Sequence, residues 1–160
     1  VFDVFHASGV ITLVFAGIAG MMAISSLLNS RIVMLFGTRR ISHTALLILI
    51  VFSLVHFGVA LAGVESLVSF VVLQGLMMGC FGLCTANFSA MAMEDMGAIA
   101  GTASSFQGFV TTLVGALIGA LVGQAFDGTT LPLCTGFVAA TLVALGAVLY
   151  AERGRLFGRH

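Results

Sequence analysis

The chain has 160 residues, of which 60% are hydrophobic and 8% charged, and its formal net charge is zero. A water-soluble domain carries about 25% charged residues. There is too little charge here to cover such a surface, no basic stripe for nucleic acid, and no polar domain to host soluble-enzyme chemistry. The composition implies an all-α integral membrane protein, because without water to satisfy backbone groups each apolar span must be helical.

Five apolar stretches approach or exceed the roughly 20 residues needed to cross about 30 Å of hydrocarbon. They predict transmembrane helices over residues 9–28, 44–62, 66–90, 103–126 and 131–150. Arg31, Arg39 and Arg40 fall between the first and second spans, Arg153, Arg155 and Arg159 follow the fifth, and there is no lysine. Basic loops stay on the cytoplasmic side, and alternating the loops in and out puts both clusters inside. The N-terminus, with Asp3 and His6, is then outside and the C-terminus cytoplasmic, as in a multi-pass protein of a bacterial inner membrane. Gly63-Val64-Glu65 and Asp127-Gly128-Thr129-Thr130 are short outer connections that make the second and third, and the fourth and fifth, spans antiparallel neighbours. Pro132 fits the first turn of the fifth helix, where its missing N–H costs nothing. An odd number of spans, and Val1 without the basic start of a signal sequence, point to an excised piece of a longer protein: six spans with one removed.

The helices differ in kind. The second and fifth spans are bulky and nearly nonpolar, as lipid-facing helices should be. The third carries Gln74, Thr85, Asn87 and Ser89, and the fourth carries Ser104, Ser105, Gln107, Thr111, Thr112 and Gln124. Polar side chains are costly against lipid, so these two helices should face protein or a water-filled cavity. Gly115, Gly119 and Gly123 on the fourth helix, and Gly75 and Gly79 on the third, form small-residue ridges that let backbones approach closely. Such ridges serve static packing, sliding, or both.

Counting 1.5 Å per residue from opposite ends, Gln74 lies about 12 Å deep and Gln107 about 9–12 Å deep. With Met78, Phe81 and Thr111 nearby, the two amides suit a mid-membrane pocket for an uncharged or amphipathic solute. The alternative is a pair of ordinary interhelical hydrogen bonds. Met77, Cys80 and Cys84 have a spacing at which soft sulfur ligands hold Cu(I), but Met and Cys are ordinary membrane packing residues, and neither a metal nor a cofactor is expected. The three cysteines suggest no disulfide framework. His56 lies within the second span without an evident partner. No Asp or Glu lies inside any span, so a proton carrier, if protons are used, must come from elsewhere. Glu94 and Asp95 share the arginine side and could pair with Arg31, Arg39 or Arg40 in a latch that closes the inner mouth.

The segment from Asn29 through Arg31 and Gly37 to Arg39 and Arg40 resembles the cytoplasmic loop between the eighth and ninth helices of major facilitator superfamily transporters. The run Ala100-Gly101-Thr102-Ala103-Ser104-Ser105, followed by Gly108, resembles the start of the eleventh helix in the bicyclomycin/chloramphenicol-resistance (Bcr/CflA) efflux branch. The arginine segment departs from the superfamily's acidic motif, with Asn29 where an aspartate is usual and extra residues before Gly37. The likeness covers nearly the whole chain, from the eighth to the twelfth helix of a twelve-helix fold whose halves contain inverted three-helix repeats. It implies that the chain is a C-terminal-half fragment, that its third and fourth spans line the central cavity, and that its second and fifth are peripheral.

The resemblance also implies multidrug efflux, and hence antibiotic resistance, by drug:proton antiport with alternating access. The partners would be a drug-like solute, protons, the lipid bilayer and the N-terminal half, where the family's proton-carrying acidic residues mostly lie. Two other classes compete. One is a membrane scaffold or assembly subunit that moves nothing. The other is a membrane-embedded enzyme, which needs a catalytic constellation at depth that the spans do not offer.

Overall fold

Polar and charged side chains do not by themselves end a helix, and the first helix runs through Asn29, Ser30 and Arg31. A computed structural model describes residues 11–154 and 156–157; Val1, Asp3, His6, Arg155 and Arg159 lie outside them. Helix α1 spans Ile11–Phe36, α2 Thr38–Leu61, α3 Leu67–Met93, α4 Ala100–Gln124 and α5 Leu131–Ala151, with a 3-10 turn at Gly97–Ile99 before α4. No strand occurs among the described residues. All five helices are long and apolar enough to cross a membrane, which fits a multi-pass membrane protein.

Two expected inner loops are therefore corrected. The segment 29–43 is not a loop: α1 and α2 are separated by Gly37 alone. Gly37 has φ +81°, a left-handed conformation that a side chain disfavours. Its N–H donates to the Val33 carbonyl at 2.9 Å, closing α1. The second inner connection shortens as well, since α4 begins at Ala100 rather than Ala103. At the opposite end, α3 starts where a capping box allows it. The Ser69 N–H donates to Ser66 Oγ at 3.2 Å, and the Ser66 N–H donates to Ser69 Oγ at 2.9 Å. Pro132 sits in the first turn of α5.

Helix α3 is central. On one side Gly75, Gly79 and Gly82, on one helical face, receive Met21, Met22 and Ser25 of α1; a Cβ on Gly79 would lie 2.8 Å from Ser25 Oγ. On another side α3 packs on α2, whose Ala45, Leu46, Leu49 and Ile50 form a core with Met77 and Cys84; Phe137, Ala144 and Leu145 of α5 close it. In lipid this close fit, rather than expulsion of water, drives helix association.

The structure corrects the expectation that the second span simply faces lipid. One stripe of α2 is buried, at positions 41, 42, 43, 45, 46, 49, 50, 53 and 56. Its residues recur every three or four positions, the helical repeat. The polar members Ser42, His43, Ser53 and His56 are all fully enclosed. The fourth helix departs further, for α4 has no buried residue. It touches α5 and, sparsely, α3. Gly115, Gly119 and Gly123 have no neighbour within 4 Å of an added Cβ, so their ridge packs against nothing among the described residues.

Candidate functional site

Between α4 and the rest of the bundle lies a cavity of about 790 Å³. Small-molecule sites are typically about 300–1,000 Å³, largely apolar, with a few polar groups that orient the ligand. Phe81 and Phe88 of α3 and Phe137 of α5 give this cavity an aromatic wall, and Leu46 and Leu49 of α2 form its floor. Thr85 and Ser89 of α3, Ser104, Gln107, Thr111 and Thr112 of α4, and Thr141 of α5 supply the polar groups. No Asp, Glu, Lys, Arg or His among the described residues lines it. The lining runs from the middle of α3 toward the arginine-bearing end of the bundle, so the cavity occupies that half.

Three of the hydroxyls along the wall, those of Thr85, Ser104 and Thr141, bond to carbonyls of their own helices. Thr85 Oγ1 donates to the Phe81 carbonyl at 3.0 Å, and Thr141 Oγ1 to the Phe137 carbonyl at 2.9 Å. Such back-bonding satisfies a buried hydroxyl without a second helix. Gln107 differs, because its Oε1 accepts a hydrogen bond from Ser89 Oγ at 3.2 Å and bridges α4 to α3. A carboxamide has two donors besides its acceptor oxygen, and these remain for a molecule in the cavity.

Of the five expected cavity residues, Phe81, Gln107 and Thr111 meet at this space, and Gln74 and Met78 do not. The equal depth of Gln74 and Gln107 is corrected. Gln107 is level with Ser89, roughly 22 Å along α3 from Gln74 at 1.5 Å per residue. Gln74 is buried elsewhere on α3, and its Oε1 has no hydrogen-bond partner among the described residues. Met78 is half-buried.

At the arginine-bearing end, Arg39 pairs with Glu152 at 3.1 Å, and His43 lies 3.9 Å from the same carboxylate. The Phe157 N–H donates to His43 Nδ1 at 3.2 Å, so the segment after α5 is fastened to the start of α2. Glu94 and Asp95 line a groove of about 730 Å³ with Arg39 and Arg40 but form no ion pair among the described residues. The expected latch from Glu94 and Asp95 to Arg31, Arg39 or Arg40 is not formed among the described residues, where Arg39 pairs with Glu152 instead. Asn29, expected in a cytoplasmic loop, instead pairs with Asn87 inside the α1–α3 contact.

The main omission of the sequence reading is at the opposite end. His56 has a partner: its Nε2 lies 2.6 Å from Glu65 Oε1, both side chains being almost wholly enclosed. Thr130 Oγ1 donates to the other oxygen of Glu65. The Phe70 ring meets the imidazole edge-on, 5.6 Å between centroids. Glu65 lies outside every helix in sequence, yet its carboxylate folds back onto the buried stripe of α2. The signal was present in Gly63, whose φ of +67° turns the chain over the end of α2.

Comparison of the chain with protein-family models, with curated proteins and with solved structures gives no significant match.

Proposed function

We propose that the chain is part of a multidrug exporter of the Bcr/CflA branch of the major facilitator superfamily, exchanging a drug-like solute for protons by alternating access. The observation that carries this reading is the uncharged, aromatic cavity against α4. Its volume suits a drug-sized molecule, and its polar groups orient rather than neutralise. An amphipathic solute without a formal negative charge fits such a wall, since no cation among the described residues lines it to receive an anion. Gln107 is the orienting group, Phe81 and Phe137 stack on the solute, and Thr111 shapes the α4 side.

The exposure of α4 supports the same reading. A membrane helix with Ser104, Ser105, Gln107, Thr111 and Thr112 and no buried residue is poorly suited to lipid on all sides. In the proposed transporter the N-terminal half covers that face and completes the cavity. Rocking of the two halves then opens the site to each side in turn. The arginines lie on the cytoplasmic side of the inner membrane, and the Arg39–Glu152 tie holds that end of α2 to the chain after α5.

Full-length protein reconstituted in vesicles, with a pH-sensitive dye inside, tests the proposal. A panel of amphipathic drugs should provoke proton flux, and Gln107→Ala should change which compounds do so at unchanged protein level. Absence of both solute binding and solute-dependent flux across the panel would leave a non-transporting scaffold as the better reading.

A further inference from the structure

We propose that His56, Glu65 and Cys134 form a binding site for a divalent transition metal of the zinc class, distinct from the cavity against α4. Their ligating atoms all lie within 4.8 Å of one another. They come from three parts of the chain: His56 from α2, Glu65 from the connection after it, and Cys134 from the first turn of α5. His56 and Cys134 are about 0% and 1% exposed. An imidazole, a carboxylate and a thiolate are a donor set that zinc accepts, with three protein ligands and one open position. Harder ions prefer oxygen alone.

The geometry needs only small closure. Zinc bonds of about 2.0–2.3 Å to nitrogen, oxygen and sulfur hold the donors roughly 3.3–3.6 Å apart. The His56–Glu65 contact at 2.6 Å opens slightly and the longer separations contract. The surroundings already orient the ligands. Thr130 donates to one oxygen of Glu65 and leaves the other aimed at His56, the kind of outer contact that fixes ligating carboxylates. The Phe70 ring sets the plane of the imidazole.

Charge also balances. A zinc ion meets one carboxylate, one thiolate and one neutral imidazole, giving no net charge to hold away from water. Binding releases the thiol proton of Cys134 to solvent. The bound ion ties α2, its following turn and α5 together at the end opposite the arginines.

Cobalt(II) and zinc titrations of the detergent-purified protein test the site. Cobalt should give a thiolate-to-metal charge-transfer band in the near ultraviolet, with visible bands of tetrahedral type, and zinc should displace it at one equivalent. Cys134→Ser should abolish the charge-transfer band. His56→Gln and Glu65→Gln should each weaken zinc binding tenfold or more, while Cys80→Ser and Cys84→Ser leave the spectrum unchanged. Far-ultraviolet circular dichroism identifies variants that keep their helices, and only those count. No cobalt bound by the wild type, a band that survives Cys134→Ser, or a band lost with Cys80→Ser or Cys84→Ser overturns the assignment. None of these readouts depends on transport.

Discussion

Asn87 Nδ2 donates to Asn29 Oδ1 at 2.8 Å, and Asn29 Nδ2 donates back to Asn87 Oδ1 at 3.4 Å. The amide pair joins α1 to α3 beyond the glycine face, and Asn87 also donates to the Leu83 carbonyl of its own helix at 2.8 Å. Side-chain hydrogen bonds between membrane helices contribute about 0.6 kcal/mol on average and up to about 1.7 kcal/mol. Asn87→Leu should therefore destabilise the bundle by about 1 kcal/mol. Adding Asn29→Leu should cost little more, because the partner is already lost. Reversible unfolding in mixed micelles measures both, and strict additivity of the two single changes would show that the pair does not act as a unit.

The Arg39–Glu152 pair sets a second expectation. Arg39 is 34% exposed and Glu152 9%. Solvent screens the exposed side, so the coupling should be about 0.5–1 kcal/mol in a double-mutant cycle with Arg39→Gln and Glu152→Gln, and should fall as salt is raised. Either change should also make the chain after α5 more susceptible to limited proteolysis. A coupling indifferent to salt would contradict the ion-pair account.

Contact between α4 and α5 depends on Gly136. A Cβ there would come within 2.6 Å of Val122 Cγ2, and valine in a helix has little freedom to rotate aside. Gly136→Ala should push α4 outward and cost about 1–3 kcal/mol. Gly119→Ala meets nothing within 4 Å and should change the stability of this chain by less than about 0.5 kcal/mol. In the complete transporter proposed above, Gly119→Ala should nonetheless lower activity if its ridge packs against the other half. Equal stability losses from the two alanines would refute the distinction.

Asp127 offers a pH test outside the helices. Its carboxylate accepts hydrogen bonds from the hydroxyl and backbone N–H of Thr129 at 2.6 and 3.0 Å. These bonds hold its pKa below the ordinary aspartate value, with the Thr129 side chain the larger cause. A lowered folded-state pKa contributes stability above the unfolded value and loses it as pH falls through the folded one. The stabilisation is therefore fully present at neutral pH, and its loss is confined to acid conditions at and below the usual carboxylate range. Thr129→Ala should move the carboxyl titration upward, read by NMR of labelled aspartate. An unmoved titration would exclude the hydroxyl as the cause.

The five helices were legible because apolar length is a strong signal, and the start of α5 because Pro132 is a local helix-start signal. The end of α1 was not, because Asn29 and Arg31 suggested a loop while only Gly37 has a backbone that stops the helix. The depths of Gln74 and Gln107 were misjudged for a related reason. Counting inward from each helix start assumed spans about as thick as the hydrocarbon, and α3 runs 27 residues, long enough to keep the two amides well apart. The polarity of the fourth span pointed to a cavity wall, and Gln107 and Thr111 line the cavity against α4. Polarity could not reveal that α2 buries a stripe of its own, since His43, Ser53 and His56 are spaced among residues that look lipid-facing. Nor could it reveal that Glu65, nine positions along the chain from His56, returns to it across a turn.

Helix α4 has no buried residue, so wherever the other half proposed above leaves it uncovered, acyl chains become its neighbours. Bilayer thickness and tail packing thus act on this rod more directly than on α2 or α3, which hold one another. Spectroscopic labels on Phe109 or Leu117 should report changes of lipid before labels on Leu49 or Met77 do. A protein assembled in this way carries an uncovered wall beside the aromatic cavity.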